Sequence, residues 1–218
     1  MTAMIAAVML LGTTRASADL LLSDGGPGDL FTFGDNALAG YSFTVGNQPL
    51  KVTGLAILDQ QLDGIGQGLF EDHQVGLWDD GGTLLGSVIV PAGTVAPLVN
   101  GFRFVDLDSP ILLATGKTYV LAATYPTGLG TNEATDLWRR NLSAEMDTII
   151  SPFVTYGTGR FGSGFDFPVG TDDVAGIVGP NMEFRAVPEP ASLSMLTLGG
   201  VGLIGCSLRG RKHRVAQE

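Results

Sequence analysis

Few side chains in this 218-residue chain could do chemistry. His73 heads the run Gln74-Val75-Gly76-Leu77-Trp78-Asp79, and the other histidine, His213, sits in a basic cluster near the C-terminus. A catalytic histidine needs a nucleophile to activate, and no Gly-x-Ser-x-Gly or cysteine nucleophile accompanies His73. A structural or surface role is therefore expected, with ligand binding as the alternative. Trp78 and Trp138 are of the type that stacks on sugar rings. Trp78 ends an alternating run and should pack at a strand end. Trp138, flanked by Arg139 and Arg140 in a loop-like stretch, joins His73 as a candidate ligand contact. No catalytic residue is assigned.

Carboxylates occur in pairs at Glu71-Asp72, Asp79-Asp80, Asp106 with Asp108, and Asp172-Asp173. Two such groups roughly 5–10 Å apart in one cleft would serve as the acid and base of a glycosidase. Loop oxygens of the same pairs, or of Asp59, Asp63 and Glu71, would suit calcium. No D-x-D-x-D-G loop organises them, so they read as solvated turn residues and no cofactor is called for. Gly128-Leu129-Gly130 and Gly162-Ser163-Gly164 lack the lysine and the strand–loop–helix setting of a phosphate loop.

The elements that would position these groups are short and β-like. Tyr41–Val45 alternates with period two, and Val52–Leu58 is more continuously apolar, as in a strand buried on both faces. Gln74–Trp78, Leu84–Val90, Phe102–Leu107, Lys117–Tyr125 and Met182–Ala186 read as further strands. Turn signals separate them: Asp79-Asp80-Gly81-Gly82, Pro91-Ala92-Gly93, Asp108-Ser109-Pro110 and Thr115-Gly116-Lys117. A short helix is expected near Asn132–Met146. The fold class is all-β, a single antiparallel β-sandwich over residues 19–186.

Both ends carry segments of another kind. Met4–Leu11 is apolar, and Ala16-Ser17-Ala18 fits the small-x-small pattern of signal peptidase, so residues 1–18 read as a signal peptide and Asp19 as the mature N-terminus. The positive n-region usual before such a run is missing; Arg15 lies behind it. At the other end, Val187-Pro188-Glu189-Pro190-Ala191-Ser192 should be extended, since each proline fixes its own φ and restricts the residue before it. Ser192–Leu208 is free of charge over 17 residues. As a helix it would span about 26 Å, close to the lower limit for a bilayer core of about 30 Å. Arg209, Arg211, Lys212 and Arg214 follow as a stop, which places the C-terminus in the cytoplasm and the domain outside.

Between Asp19 and Val187 there are 20 acidic and 7 basic residues, a net charge of −13 against −10 for the whole chain. Such a domain does not suit nucleic acid or an anionic membrane surface. The one cysteine, Cys206, falls in the apolar span, so the domain has no disulfide and no cysteine zinc site.

The collinear Val-Pro-Glu-Pro-Ala-Ser motif, glycine-bearing apolar span and terminal basic cluster (residues 187–218) resemble the PEP-CTERM sorting signal of bacterial surface proteins. The resemblance implies an exosortase as processing partner, the bacterial membrane as transient anchor, and an envelope carrying extracellular polysaccharide. A second series is similar to an uncharacterised jelly-roll-like β-sandwich domain of extracellular bacterial proteins. It runs from His73-Gln-Val75-Gly-Leu77-Trp78, through Gly82-Thr-Leu84-Leu85 and Ser109-Pro110-Ile111-Leu112-Leu113, to Gly116-Lys-Thr118-Tyr119. Together these imply an exported, non-enzymatic component of the cell envelope or extracellular matrix. A module binding exopolysaccharide, and a glycoside hydrolase or lyase, are the alternatives.

Overall fold

The computed structural model describes residues 18–24, 26, 28–31, 36–61, 64–126, 136–172 and 175–188. Residues 1–17 of the signal segment, Ala16 among them, Glu189 to Ser192, the span to 208, and Arg209, Arg211, Lys212 and Arg214 lie outside the described residues. Among the described residues no helix is long and apolar enough to cross a membrane.

The chain runs through β1 (Asp19–Leu20), β2 (Asp29–Phe31), β3 (Ala37–Val45), β4 (Leu50–Leu58), β5 (Gln60–Gln61), β6 (Gly64–Ile65), β7 (His73–Asp79) and β8 (Leu84–Val90). It continues through β9 (Leu98–Val99), β10 (Phe102–Leu113), β11 (Thr118–Tyr125), β12 (Trp138–Leu142), α1 (Ser143–Ile149), β13 (Val154–Ser163), β14 (Gly170–Asp172), β15 (Ala175–Val178) and β16 (Pro180–Ala186). Two large antiparallel sheets hold the core: β1-β16-β4-β10-β9, and β14-β13-β3-β11-β7-β8. A third, three-stranded sheet joins β15, β12 and β2. The all-β, sandwich-like architecture is as expected.

Alternation decides which side chains enter the core. Tyr41, Phe43 and Val45 on β3, Val75 and Leu77 on β7, and Leu121 and Ala123 on β11 point at the facing sheet and are fully or almost fully buried. The opposite faces of β3, β7 and β11 carry apolar residues too. Leu38, Trp78, Val120 and Ala122 form a second buried cluster under Phe165 and Phe167, which come from the segment between β13 and β14. That lid explains why β11 lacks polar alternation.

Three local expectations change. The strand at Phe102 does not end at Leu107, and Asp108-Ser109-Pro110 is not a turn between elements. β10 runs on to Leu113, and its register against β4 slips between Asp106 and Ile111. Such a bulge releases Pro110 from supplying a ladder hydrogen bond. The helix is Ser143–Ile149, beginning near the end of the expected window, and residues 127–135 lie outside the described residues. Trp138 is on β12 rather than in a loop. Before β10, Asn100 and Gly101 both take positive φ, 51° and 87°, as a tight two-residue hairpin turn requires.

Candidate functional site

Two buried ion pairs anchor one end of the sandwich. His73, at the start of β7, is fully buried; its Nε2 lies 2.8 Å from Asp136 Oδ2 and its Nδ1 2.6 Å from the Thr124 carbonyl oxygen. A carbonyl only accepts, so Nδ1 carries a hydrogen, and a further proton joins Nε2 to the carboxylate. Asp136 also accepts the N–H of Phe70 at 2.9 Å and of Glu71 at 3.2 Å. The Tyr125 ring meets the imidazole edge-on at 5.3 Å. Burial, and then the charge of Asp136, push the Tyr125 hydroxyl pKa well above its ordinary value.

Glu71, His73 and Asp136 each present a ligand atom within 4.8 Å of the others. The hydrogen bonds make the trio a structural lock in this arrangement. Both imidazole nitrogens are engaged, and Asp136 Oδ2 accepts from Phe70, Glu71 and His73. A metal would have to displace the proton that joins the pair.

The second pair is Arg103 Nε with Asp59 Oδ2 at 2.7 Å, both side chains almost completely buried. Asp59 also accepts the Gly68 N–H at 3.1 Å. The guanidinium donates further to the carbonyls of Thr94 at 3.2 Å, Ala96 at 2.9 Å and Gly66 at 3.2 Å. Segment 66–71 is thus held by two carboxylates, and segment 94–96 by one guanidinium.

The pinned segment 94–96 contributes to one wall of a groove of about 790 Å³ across the outer face of the five-stranded sheet. The register defines its floor. Gly54 on β4 lies opposite Asp106 on β10 and opposite Glu183 on β16, so the three form one row across the sheet. Residues directly opposite in an antiparallel pair share a face, and two strand spacings put the acidic Cα atoms roughly 10 Å apart. Gly54 keeps the floor low: a Cβ there would come 3.2 Å from the Val105 carbonyl oxygen and 3.7 Å from Asp106 Oδ1. Leu20, Ile89, Val95, Val99 and Val105 are among the apolar walls. Neither Asp106 nor Glu183 has an ionic or side-chain hydrogen-bond partner among the described residues.

The flanking rows differ. On one side, Phe104, Ala56 and Asn181 are buried, and Asn181 clasps the backbone N–H and carbonyl of Leu22 at 2.9 and 3.0 Å. On the other, Leu112, Lys51 and Arg185 stand in one exposed row.

The residues singled out by type are placed as follows. Trp138 is 7% exposed and packs against Phe31 at 5.3 Å between ring centroids; Trp78 is 2% exposed and packs against Phe165 at 5.2 Å. Neither offers a free ring face, so Trp138, like the buried His73, is a packing residue and is not poised to stack on a ligand. Arg139 donates to Gly26, Gly28 and Gln60. Asp79 accepts the Thr83 N–H at 2.8 Å, which lowers its pKa, and Asp72 accepts the Ala92 N–H at 2.7 Å. Asp106 shares a groove with Glu183 and is not paired with Asp108. Asp59 is taken by Arg103, so the calcium set of Asp59, Asp63 and Glu71 is not assembled, and Asp63 and Asp173 lie outside the described residues. Ala18 lines the groove, the Val187 N–H donates to the Pro49 carbonyl at 2.8 Å, and Pro188 is exposed. Sequence reasoning missed Arg103, Asp136 and Glu183. The available signal was Gly54, a bare position inside a long apolar strand.

Comparison with known proteins gives one family match: Domain of unknown function (DUF4082) fits residues 38–175, which includes His73, Asp136, Gly54 and Asp106 but not Glu183. No curated protein matches the chain. Among solved structures, the chain is similar to the VP2 subviral particle of infectious bursal disease virus, at 13% identity over 85% of this chain and 47% of that one, with a TM-score of 0.30. It is also similar to a mutant VP2 protein of the same virus from derived T=1 particles, at 13% identity over 85% and 45%, with a TM-score of 0.27. The chain spans about half the length of these viral chains.

Proposed function

The chain belongs to the family Domain of unknown function (DUF4082), and we propose that it is an exported cell-surface or extracellular-matrix protein, sorted by a PEP-CTERM signal over residues 187–218. The observation that carries this reading is where the fold closes. β1 pairs antiparallel with β16, with Asp19 opposite Phe184, so the start of one strand lies beside the end of the other. The proposed signal-peptidase site at Ala18 and the sorting motif from Val187 therefore leave the sandwich side by side. The last backbone bond of the domain is Val187 to Pro49, and Pro188 is already exposed. Among the described residues the sheets run from Asp19 to Ala186, between the two proposed processing sites. We read the sandwich as jelly-roll-like, the span 192–208 as its anchor before exosortase processing, and its role as structural or adhesive.

Intact-mass measurement on protein from cells tests both ends at once. A mature chain beginning at Asp19 and lacking the tail is expected, and deletion after Val187 should send the protein into the medium. Unchanged localisation and mobility after that deletion would overturn the reading.

One observation favours a glycoside hydrolase instead: Asp106 and Glu183 face one groove at a separation that could frame a sugar. A catalytic pair is usually held by neighbouring hydrogen bonds, and these two side chains have none among the described residues. Release of reducing sugar from the organism's exopolysaccharide, lost in E183Q, would establish the hydrolase. Binding without hydrolysis would establish the carbohydrate-binding module.

A further inference from the structure

The groove and the row beside it make the outer face of the five-stranded sheet self-complementary. Asp106 and Glu183 flank Gly54, and their side chains have no partner among the described residues. One row away, Lys51 on β4 lies directly opposite Arg185 on β16, and neither cation has an ionic partner among the described residues. Like charges directly opposite each other oppose folding of the sheet. Within one molecule the two rows do not neutralise each other.

We propose that this face is an isologous interface with a second copy of the chain. Lys51 of the partner subunit and Arg185 of the partner subunit enter the groove beside Asp106 and Glu183, and the reciprocal contacts form across the two-fold axis. A two-fold interface requires that patch i meet patch j and j meet i. An acidic row and a basic row on one face meet that condition. The rows are two residues apart on β16, roughly 7 Å at about 3.3 Å per residue, and the extra residue Thr53 at the β4 register shift brings Lys51 and Gly54 to the same face. Gly54 puts no side chain between the two acids, and Leu20 and Val105 supply apolar walls for the aliphatic stems of the incoming cations. Apolar area is at hand for burial: Leu112 is 66% exposed in the basic row, and Ile89 and Val95 are 60% and 84% exposed at the rim. A sugar would want an open aromatic ring, and Phe104, the only aromatic residue lining the groove among the described residues, is 8% exposed. The inference does not rest on export or sorting.

The test measures the mass of the full chain in mild detergent, across concentration and salt, by analytical ultracentrifugation. The variants are K51E/R185E, with an all-acidic face, and D106K/E183K, with an all-basic one. All four side chains are exposed or half-exposed, and unchanged circular dichroism will verify the fold. The wild type should dimerise, with each variant self-associating roughly a hundredfold more weakly. An equimolar mixture should recover a dimer of one copy of each, because both reciprocal contacts are then attractive. A wild type that stays monomeric up to roughly 1 mM overturns the proposal. So does a dimer indifferent to both variants, which would lie on another face or in the tail, and so does failure of the mixture to recover association.

Discussion

Replacing Arg103 with methionine tests whether the buried charges anchor this end of the sandwich. Met fills much of the same volume but leaves the Asp59 carboxylate fully buried with only the Gly68 N–H beside it. Leaving one partner of a buried pair uncompensated costs about 3–5 kcal/mol. The lost bonds to Thr94, Ala96 and Gly66 belong to the same network and are not added separately. For a domain of this size, about 2–4 °C per kcal/mol gives a fall in Tm of roughly 6–20 °C. The double variant R103M/D59L removes both charges and should recover most of that loss. It should end within about 1–2 kcal/mol of wild type, the residue being the Gly68 N–H left without its acceptor. Urea denaturation of wild type, both single variants and the double variant closes the cycle, with an expected coupling of at least about 3 kcal/mol. Hydrogen exchange should rise first at residues 94–97, the groove wall that the guanidinium holds. A loss below about 1 kcal/mol in R103M, or a double variant as unstable as the sum of the singles, would refute the reasoning.

Gly54→Val should lower stability by about 1–3 kcal/mol, because the new side chain is driven against the Val105 carbonyl beside Asp106; denaturant midpoints check this, and a neutral result would mean that the floor is not close-packed. Trp78 and Trp138 should show blue-shifted fluorescence barely quenched by iodide, and polysaccharide should not change it; strong quenching would place one of the rings at the surface. Burial raises the pKa of the Tyr41 and Tyr125 hydroxyls above the ordinary value of about 10. Their contribution to stability is therefore intact below about pH 10 and is lost as pH rises past it, since the unfolded chain then releases protons that the folded chain keeps. In an ultraviolet titration two of the four tyrosines should ionise only as the chain unfolds, and four tyrosines titrating freely with native circular dichroism intact would contradict their burial.

The strands that were legible are those whose side chains alternate against a core. Leu84–Val90 falls on β8 at both ends, and Val52–Leu58 lies within β4, where the stretch Leu55–Leu58 is buried on both faces. β13 was not legible, although it is ten residues long. Gly157, Gly159 and Gly162 dilute its pattern, and Gly157 is required because a Cβ there would meet Ser42 Oγ at 2.5 Å. Its glycines report the closeness of β3, a tertiary fact that reads locally as loop. β12 was obscured in a similar way: Trp138, Arg139 and Arg140 look like a surface cluster, yet the ring is covered by Phe31 and Arg139 is spent on two carbonyls and Gln60.

The candidate site was illegible for a reason that belongs to antiparallel sheets. Acidic residues adjacent in sequence, such as Asp79-Asp80, project to opposite faces when both lie on a strand, so adjacency argues against a shared site. Residues two apart share a face only while the strand stays regular, and the bulge in β10 begins just beyond Asp106, which separates it from Asp108. The neighbour that matters, Glu183, is reached through β4, by way of two register choices fixed by the packing of Leu55, Met182 and Phe184. No local pattern carries that information. What the sequence does carry is the exception on the intervening strand: a glycine inside an apolar run, where propensity disfavours it. A Cβ at Gly54 would press on the Val105 carbonyl and approach Asp106 Oδ1, and the bare position lies between two carboxylates with no partner among the described residues. The same logic makes the opposed cations Lys51 and Arg185 informative. A cross-strand repulsion left in place on an open sheet face points to a partner that relieves it, and the matching acids are carried by this chain one row away.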